Sequence, residues 1–156
     1  MIGTDVSPAD AIRPEAVLSA LVDWVGPAAM LRHVEAMECV TSTNAIALDD
    51  QREGLLLLAR EQTWGRGRHS SHWVSPPGGL YLSYVPPVEH LPSRTTDLSL
   101  LAALAVANAL EVVLVAAGLT DARSLLKWPN DVLIGDGKVA GVLLQSRGNV
   151  VAGGAG

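Results

Sequence analysis

Arg66 and Arg68 alternate with Gly65 and Gly67 in the stretch from Gln62 to Trp73, QTWGRGRHSSHW. Two guanidiniums on so short a piece of chain, beside glycines that permit φ > 0 and close approach to a bound group, are suited to gripping an anion. Two plainer readings stay open: a solvated surface loop, and an arginine-glycine segment that touches RNA without sequence preference. The lysines are Lys127 and Lys138. Lys127 passes from a strand-like run into the turn Trp128-Pro129-Asn130-Asp131, and Lys138 opens the second arm of a hairpin. Upstream, Ser42-Thr43-Asn44 precede a short apolar-periodic segment that runs through Leu48. Hydroxyl and amide side chains placed there either cap a helix or receive the polar groups of a ligand at a strand-to-helix junction.

Metal and thiol chemistry find less support. Cys39 is the sole cysteine, which excludes an internal disulfide and a multi-cysteine metal site. It is expected to be a buried strand thiol, since free cysteine packs as a small hydrophobe. His33, His69, His72 and His90 have no metal-ligand spacing with it and read as surface or loop residues. No metal-ligand set is therefore expected from the protein side.

These residues must be held by a core. A chain of 156 residues fits one domain, and that length buries about 68–70% of the surface of its unfolded form. Hydrophobic residues make up 49% and charged residues 17%, which places the chain with globular proteins. Phe is absent, so the interior must be mostly aliphatic. A formal net charge of −5 argues against a general nucleic-acid surface, because that affinity comes from clustered Lys and Arg. The N-terminus carries Asp5, Asp10 and Arg13 and lacks the cationic start and apolar core of a signal peptide. With no uninterrupted apolar run of span length, a soluble cytoplasmic protein with no membrane partner is the expectation.

In chain order, Met1 to Ala11 reads as a loose end, and Val17, Leu18, Leu21, Val22 and Val25 recur at helical spacing until Gly26-Pro27. That leaves room for one amphipathic helix, too little for a helix-turn-helix reader of DNA. Leu31 to Val40, Leu55 to Ala59 and Leu80 to Val85 read as strands, with Ser75-Pro76-Pro77-Gly78-Gly79 a turn before the last. The Gln62–Trp73 stretch is expected to be a mobile cationic loop between two of these strands. Thr95, Thr96 and Asp97 offer caps to a long apolar helix over Leu98 to Ala117, stopped by Gly118. Being apolar on nearly every face, that helix is expected to be buried, and its alanine-rich, mixed composition argues against a membrane span. Val132–Ile134 and Lys138–Gln145 form a hairpin around Gly135-Asp136-Gly137, and a turn over Ser146–Asn149 leads to Val150-Val151 and a glycine tail. Hairpins and separate helices together imply an α+β domain, a mixed and largely antiparallel sheet with helices packed on one side.

Five segments in order now carry a resemblance: Ser42-Thr43-Asn44; Gln62 through Gly65-Arg66-Gly67-Arg68 to Trp73; SPPGGLYLSYV; Lys127-Trp128-Pro129-Asn130-Asp131; and Gly137-Lys138-Val139-Ala140-Gly141-Val142-Leu143. From about Val34 to the last residue the chain resembles the catalytic domain of biotin protein ligases, a biotin/lipoate protein ligase-like, class II synthetase-like fold. The resemblance implies an enzyme with two half-reactions: biotin and ATP give biotinyl-5'-AMP and pyrophosphate, and the acyl group passes to a lysine of a biotin carboxyl carrier protein. Both first substrates are anions, so cations must offset their repulsion and the charge gathering on the attacked phosphate. Carried over by position, Ser42, Thr43, Asn44 and Gln62 would hold biotin, Gly65, Arg66, Gly67 and Arg68 would cover its carboxylate and the α-phosphate, and Lys127 would bridge the two. Lys127, Arg66 and Arg68 are then the catalytic cations. Trp73, with Arg68, Asn130 and Lys138, would serve the nucleotide, and Asp131 is a candidate beside Asn130. Mg²⁺ would accompany the phosphates.

The chain departs from the family's pattern at Ser70, where a glycine is usual, at His69 and His72, where further basic residues are usual, and at Trp64, where a small residue is common. The family continues beyond the position of Gly156 with a strand end containing asparagine, further helices and a small β-barrel. The resemblance therefore implies a C-terminally truncated catalytic domain, 30–156, behind an N-terminal helix and leader, 1–29, with no DNA-binding domain. A stop inside the glycine strand would leave an exposed edge, and with it a tendency to form a homodimer. Two other readings stand beside the ligase: a catalytically impaired fragment that binds biotin, and a lipoate or octanoyl transferase relative, whose different arginine-glycine signature is not found here.

Overall fold

The structure is a computed structural model and describes residues 30–92 and 94–156. The expected leader and helix over residues 1–29 lie outside the described residues. The elements are β1 (His33–Val40), α1 (Thr43–Asp50), β2 (Leu55–Arg66), a 3-10 turn (Arg68–Ser70), β3 (His72–Ser75), β4 (Tyr81–Val85), a second 3-10 turn (Val88–His90), α2 (Thr95–Ala116), β5 (Ser124–Lys127), β6 (Asp131–Ile134), β7 (Gly137–Arg147) and β8 (Val150–Ala155). The strands form one sheet in the order β1-β2-β4-β8-β7-β6-β5, with β3 paired to β2 off that path. β1 and β2 run parallel, His33 opposite Leu55 and Val40 opposite Gln62. The other pairs among the described residues are antiparallel. The expected α+β class, a mixed and largely antiparallel sheet with helices, is the class found.

Turn chemistry makes the hairpins. Gly135-Asp136 close the β6–β7 hairpin with Ile134 opposite Gly137, and Gly135 takes φ 57°. Two-residue turns of this kind match the right-handed twist of the flanking strands and need φ > 0, which glycine accepts without strain. One core cluster sits where α1 meets the sheet and contains Ala47, Leu48, Leu55, Val85 and Ala152, with Val150 against it. A second, of Ala107, Val132 and Ala140 with Val106 and Leu110, seats α2 on β6 and β7. Fully burying a side chain such as Leu55 contributes about 1.5–3 kcal/mol.

Six expectations need correction. β2 runs through to Arg66 and pairs with β3, Gly65 opposite Trp73 and Arg66 opposite His72, so half of the cationic stretch is hairpin and not hinged loop. Gly65 and Gly67 do not take positive φ; His69 (φ 53°) and Ser70 (φ 62°) do. The two glycines are there for space: a Cβ on Gly65 would meet Trp73 O and come within 2.7 Å of Ser75 Oγ, and one on Gly67 would strike Ser71 Oγ. Cys39 is exposed. It faces outward because β1 is the edge strand, and the alternation that buries Val40 turns its neighbour out.

α2 begins at Thr95 with Arg94 at its N-cap position, so Thr95 to Asp97 lie in its first turn and do not precede it. Its burial is confined to a stripe that includes Ala103, Ala107 and Leu114, while Leu100, Leu101, Leu104, Val112, Val113 and Val115 are exposed. A helix packed on one sheet face can bury one side only, whatever its composition. By length and composition Asp97–Ala116 passes for a membrane span, a test that core helices of soluble proteins also pass. Finally, the glycine tail is a full strand, β8, between β4 and β7, and is not an open edge.

Candidate active site

A cavity of about 430 Å³ opens between the start of α1, the β2–β3 hairpin and the β6–β7–β8 part of the sheet. Of the residues singled out from the sequence, Ser42, Thr43, Asn44, Gln62, Arg66, Gly67, Arg68, Trp73, Asn130 and Lys138 all line it, together with Asp131. They come from three stretches that the chain order keeps apart, 42–44, 62–73 and 130–138, and strand pairing together with the packing of α1 on the sheet unites them. Two are not among the lining residues. Gly65 is buried within the β2–β3 hairpin, opposite Trp73, and Lys127 is exposed on β5 with its Cα opposite Asp131.

The polar end is built at the first turn of α1. Ser42 occupies the N-cap position but its hydroxyl makes no capping hydrogen bond, and it is only 3% exposed where it lines the cavity. Of the two readings of this segment, capping by the side chain is not realised at Ser42. Gln62 Oε1 accepts hydrogen bonds from Thr43 N (2.8 Å) and Thr43 Oγ1 (3.1 Å), and its Nε2 donates to Ser75 Oγ at 2.9 Å. Asn44 Nδ2 donates to Leu143 O at 3.2 Å and to Gln145 Oε1 at 3.1 Å. Both amides of Gln62 and Asn44 are thus occupied within the protein.

The cationic end is formed by Arg66, Arg68 and Lys138. Lys138 Nζ pairs with Asp131 Oδ1 at 2.7 Å and sits 4.6 Å from the centre of the Trp73 ring, so a group with a plain reading as an exposed hairpin lysine is directed at the site. Asn130 is buried, donates from Nδ2 to Val142 O at 2.7 Å, and offers Oδ1 to Arg68 Nη1 at 3.5 Å. These bonds hold the segment after Pro129 against β7. Asp131 is the one carboxylate among the described lining residues, so two guanidiniums keep net positive charge there, which suits an anionic ligand. His69 is an exposed residue of the turn between β2 and β3, as its reading expects, and also lines the cavity, while His72 rests against Trp64, ring centres 5.3 Å apart. Tyr81 is buried, which pushes its phenol above the ordinary range, and it donates to Pro76 O at 2.8 Å behind the hairpin.

The model of the Biotin/lipoate A/B protein ligase family matches residues 36–154. The chain belongs to that family. Among biotin/lipoate A/B protein ligases, the biotin–[acetyl-CoA-carboxylase] ligase of Paracoccus denitrificans is 44% identical over 93 residues, 60% of this chain and 37% of that protein. The enzyme of the same name from Mycobacterium tuberculosis is 34% identical over 144 residues, 87% of this chain and 53% of that protein. The structure of biotin protein ligase from Aquifex aeolicus in complex with biotin and ATP superposes with a TM-score of 0.69 at 32% identity, covering 80% of this chain and 51% of that one. The chain thus spans between a third and about half of these family members.

Sequence reasoning gave no role to Ser75 and Ser83, although both lie in the SPPGGLYLSYV segment, nor to Gln145, and missed Gly154 to Gly156, which line the cavity. A signal for Ser83 existed: strand period puts Tyr81, Ser83 and Val85 on one face, and a serine between two buried apolar positions needs a polar partner.

Proposed function

We propose that this chain carries out the chemistry of an ATP-dependent biotin protein ligase. In the first step a carboxylate oxygen of biotin attacks the α-phosphorus of ATP, the bond to the β-phosphate oxygen breaks, and pyrophosphate leaves biotinyl-5'-AMP behind. In the second, the ε-amine of a lysine on a biotin carboxyl carrier protein attacks the acyl carbon and AMP departs as the amide forms. The observation that carries the reading is one cavity with uncapped Ser42 and Thr43 at one end and Arg66, Arg68 and Lys138 at the other. A neutral polar head with an anionic tail fits that polarity, and the cations answer the repulsion between carboxylate and triphosphate.

Lys127 stands on the rung opposite Asp131. Its flexible four-carbon stem would bring the amine over the rim to bridge carboxylate and α-phosphate. Trp73 and Asn130 would flank the nucleotide. Mg²⁺ would arrive on the triphosphate, keeping most of its waters, with Asp131 the carboxylate near it. Among the described residues no group of three His, Cys, Asp or Glu could hold a metal ion by itself.

Incubation with biotin, ATP and Mg²⁺, followed by mass spectrometry for biotinyl-5'-AMP and by transfer to a carrier domain, tests the reading. Adenylate and a biotinylated carrier are expected; their absence at high enzyme concentration would refute activity. Biotin binding without pyrophosphate release would support a binding module instead. Lys127→Ala is expected to remove adenylate formation, and unchanged pyrophosphate release would overturn the role given to that lysine.

A further inference from the structure

Ser83 is fully buried on β4 beneath the first turn of α1. Its Oγ lies 2.8 Å from Thr43 Oγ1 and 2.7 Å from Asn44 Oδ1. The surrounding amides have fixed polarity. Leu143 O can only accept, so the group of Asn44 facing it is Nδ2 and the group facing Ser83 is Oδ1. The Thr43 backbone N–H can only donate, so the group of Gln62 facing it is Oε1. Two hydroxyl hydrogens, one on Ser83 and one on Thr43, must then satisfy these oxygens. Asn44 Oδ1 has no hydrogen to give, so the Ser83 hydrogen goes there. Thr43 has its own hydrogen within reach of Ser83 Oγ and Gln62 Oε1, both inside the protein.

We propose that Ser83 is a positioning residue that locks the Thr43 hydroxyl with its hydrogen turned inward, so that Thr43 shows the cavity an acceptor only and selects ligands whose head carries an N–H. This rests on the biotin ligase reading and sharpens it. The cyclic urea of biotin has N–H donors for Thr43 and a carbonyl for the uncapped hydroxyl of Ser42. The alkyl head of octanoate has neither, and would leave the Ser42 hydroxyl and the outward lone pair of Thr43 without partners, the arrangement by which a site rejects an analogue lacking the hydrogen-bonding group. β8 closes the lock from its far side. A Cβ on Gly154 would come within 2.7 Å of Asn44 Oδ1 and 3.2 Å of Ser83 Oγ, so no side chain fits there.

Titration calorimetry of biotin and of octanoate against the chain, Ser83→Ala, Ser83→Cys and Ser83→Thr tests this. Biotin is expected to bind the unaltered chain at least about a hundredfold more tightly than octanoate. Ser83→Ala leaves the Thr43 hydrogen only the longer contact to Gln62 Oε1, at 3.1 Å, so it is held inward less firmly, and should weaken biotin about tenfold without weakening octanoate. Ser83→Thr should restore the preference. Ser83→Cys, nearly isosteric with a weak donor, should fall between and covers the case in which the alanine variant does not fold. A folded Ser83→Ala or Ser83→Cys that keeps the full preference for biotin would overturn the role of Ser83 while leaving the ligase reading intact. Failure of the unaltered chain to bind biotin would defeat that reading, and the head-group selection with it.

Discussion

Lys138 answers two partners at once, the carboxylate of Asp131 at 2.7 Å and the face of Trp73 at 4.6 Å. An ammonium held this way needs little reorganisation when an anion enters, which is where electrostatic catalysis gains its advantage. Lys138→Ala is expected to lower the rate of adenylate formation by about 10²-fold, the scale seen when one preorganised donor is removed from an active site. Pyrophosphate release measured at saturating biotin checks it. Gly65 makes a different argument, one of volume. Gly65→Ala would push a methyl group against Trp73 O and Ser75 Oγ, and should cost about 1–3 kcal/mol in urea unfolding, the range for overpacking a filled site. Because Ser75 also receives the bond from Gln62, biotin affinity should fall in the same variant.

At the scale of the element, α2 is fastened at one side and bare at the other. Glu111 accepts hydrogen bonds from the backbone N–H and the hydroxyl of Ser124, and these hold its carboxyl below the ordinary glutamate range while tying the helix to the start of β5. A depressed carboxyl stabilises the fold above its unfolded value and loses that contribution as pH falls through the lower, folded one. Glu111→Gln should therefore lower Tm at pH 7 and narrow the gap to the parent as pH drops below the usual carboxylate range, read by thermal melts across that window. On the bare side, Leu101→Lys and Val112→Lys replace side chains that are both 54% exposed. Each should leave unfolding free energy within about 0.5 kcal/mol of the parent, as surface changes do. A larger loss would mean that these side chains are covered in solution.

For the whole molecule, the core and the site share one floor. Leu55 joins β2 to α1 and β8 through Ala47, Leu48 and Ala152, and the Ser42-Thr43-Asn44 turn is the first turn of that same helix. Leu55→Ala should cost about 2–5 kcal/mol of stability in urea unfolding. Biotin affinity should weaken in step, since α1 cannot loosen without moving Thr43 from Gln62.

What the sequence determined by itself was local or ordinal. Strand and helix periods, the Gly135-Asp136 turn and the order of motifs are written in adjacent residues, so the α+β class, the family resemblance and ten of the lining residues were legible from it. What only the tertiary structure decided concerns contacts between distant residues. Ser83 meets Asn44 across 39 positions of chain and Gln145 meets it across 101, because β4, β8 and β7 are neighbours in the sheet. The same pairing points Lys138 inward, leaves Lys127 exposed on β5 outside the lining, and makes Gly65 and Gly67 matters of space and not of φ. The physical reason is that side-chain type and period are properties of a few consecutive residues, whereas the direction of a hydroxyl hydrogen, or the room beside a glycine, depends on which strand has been brought alongside.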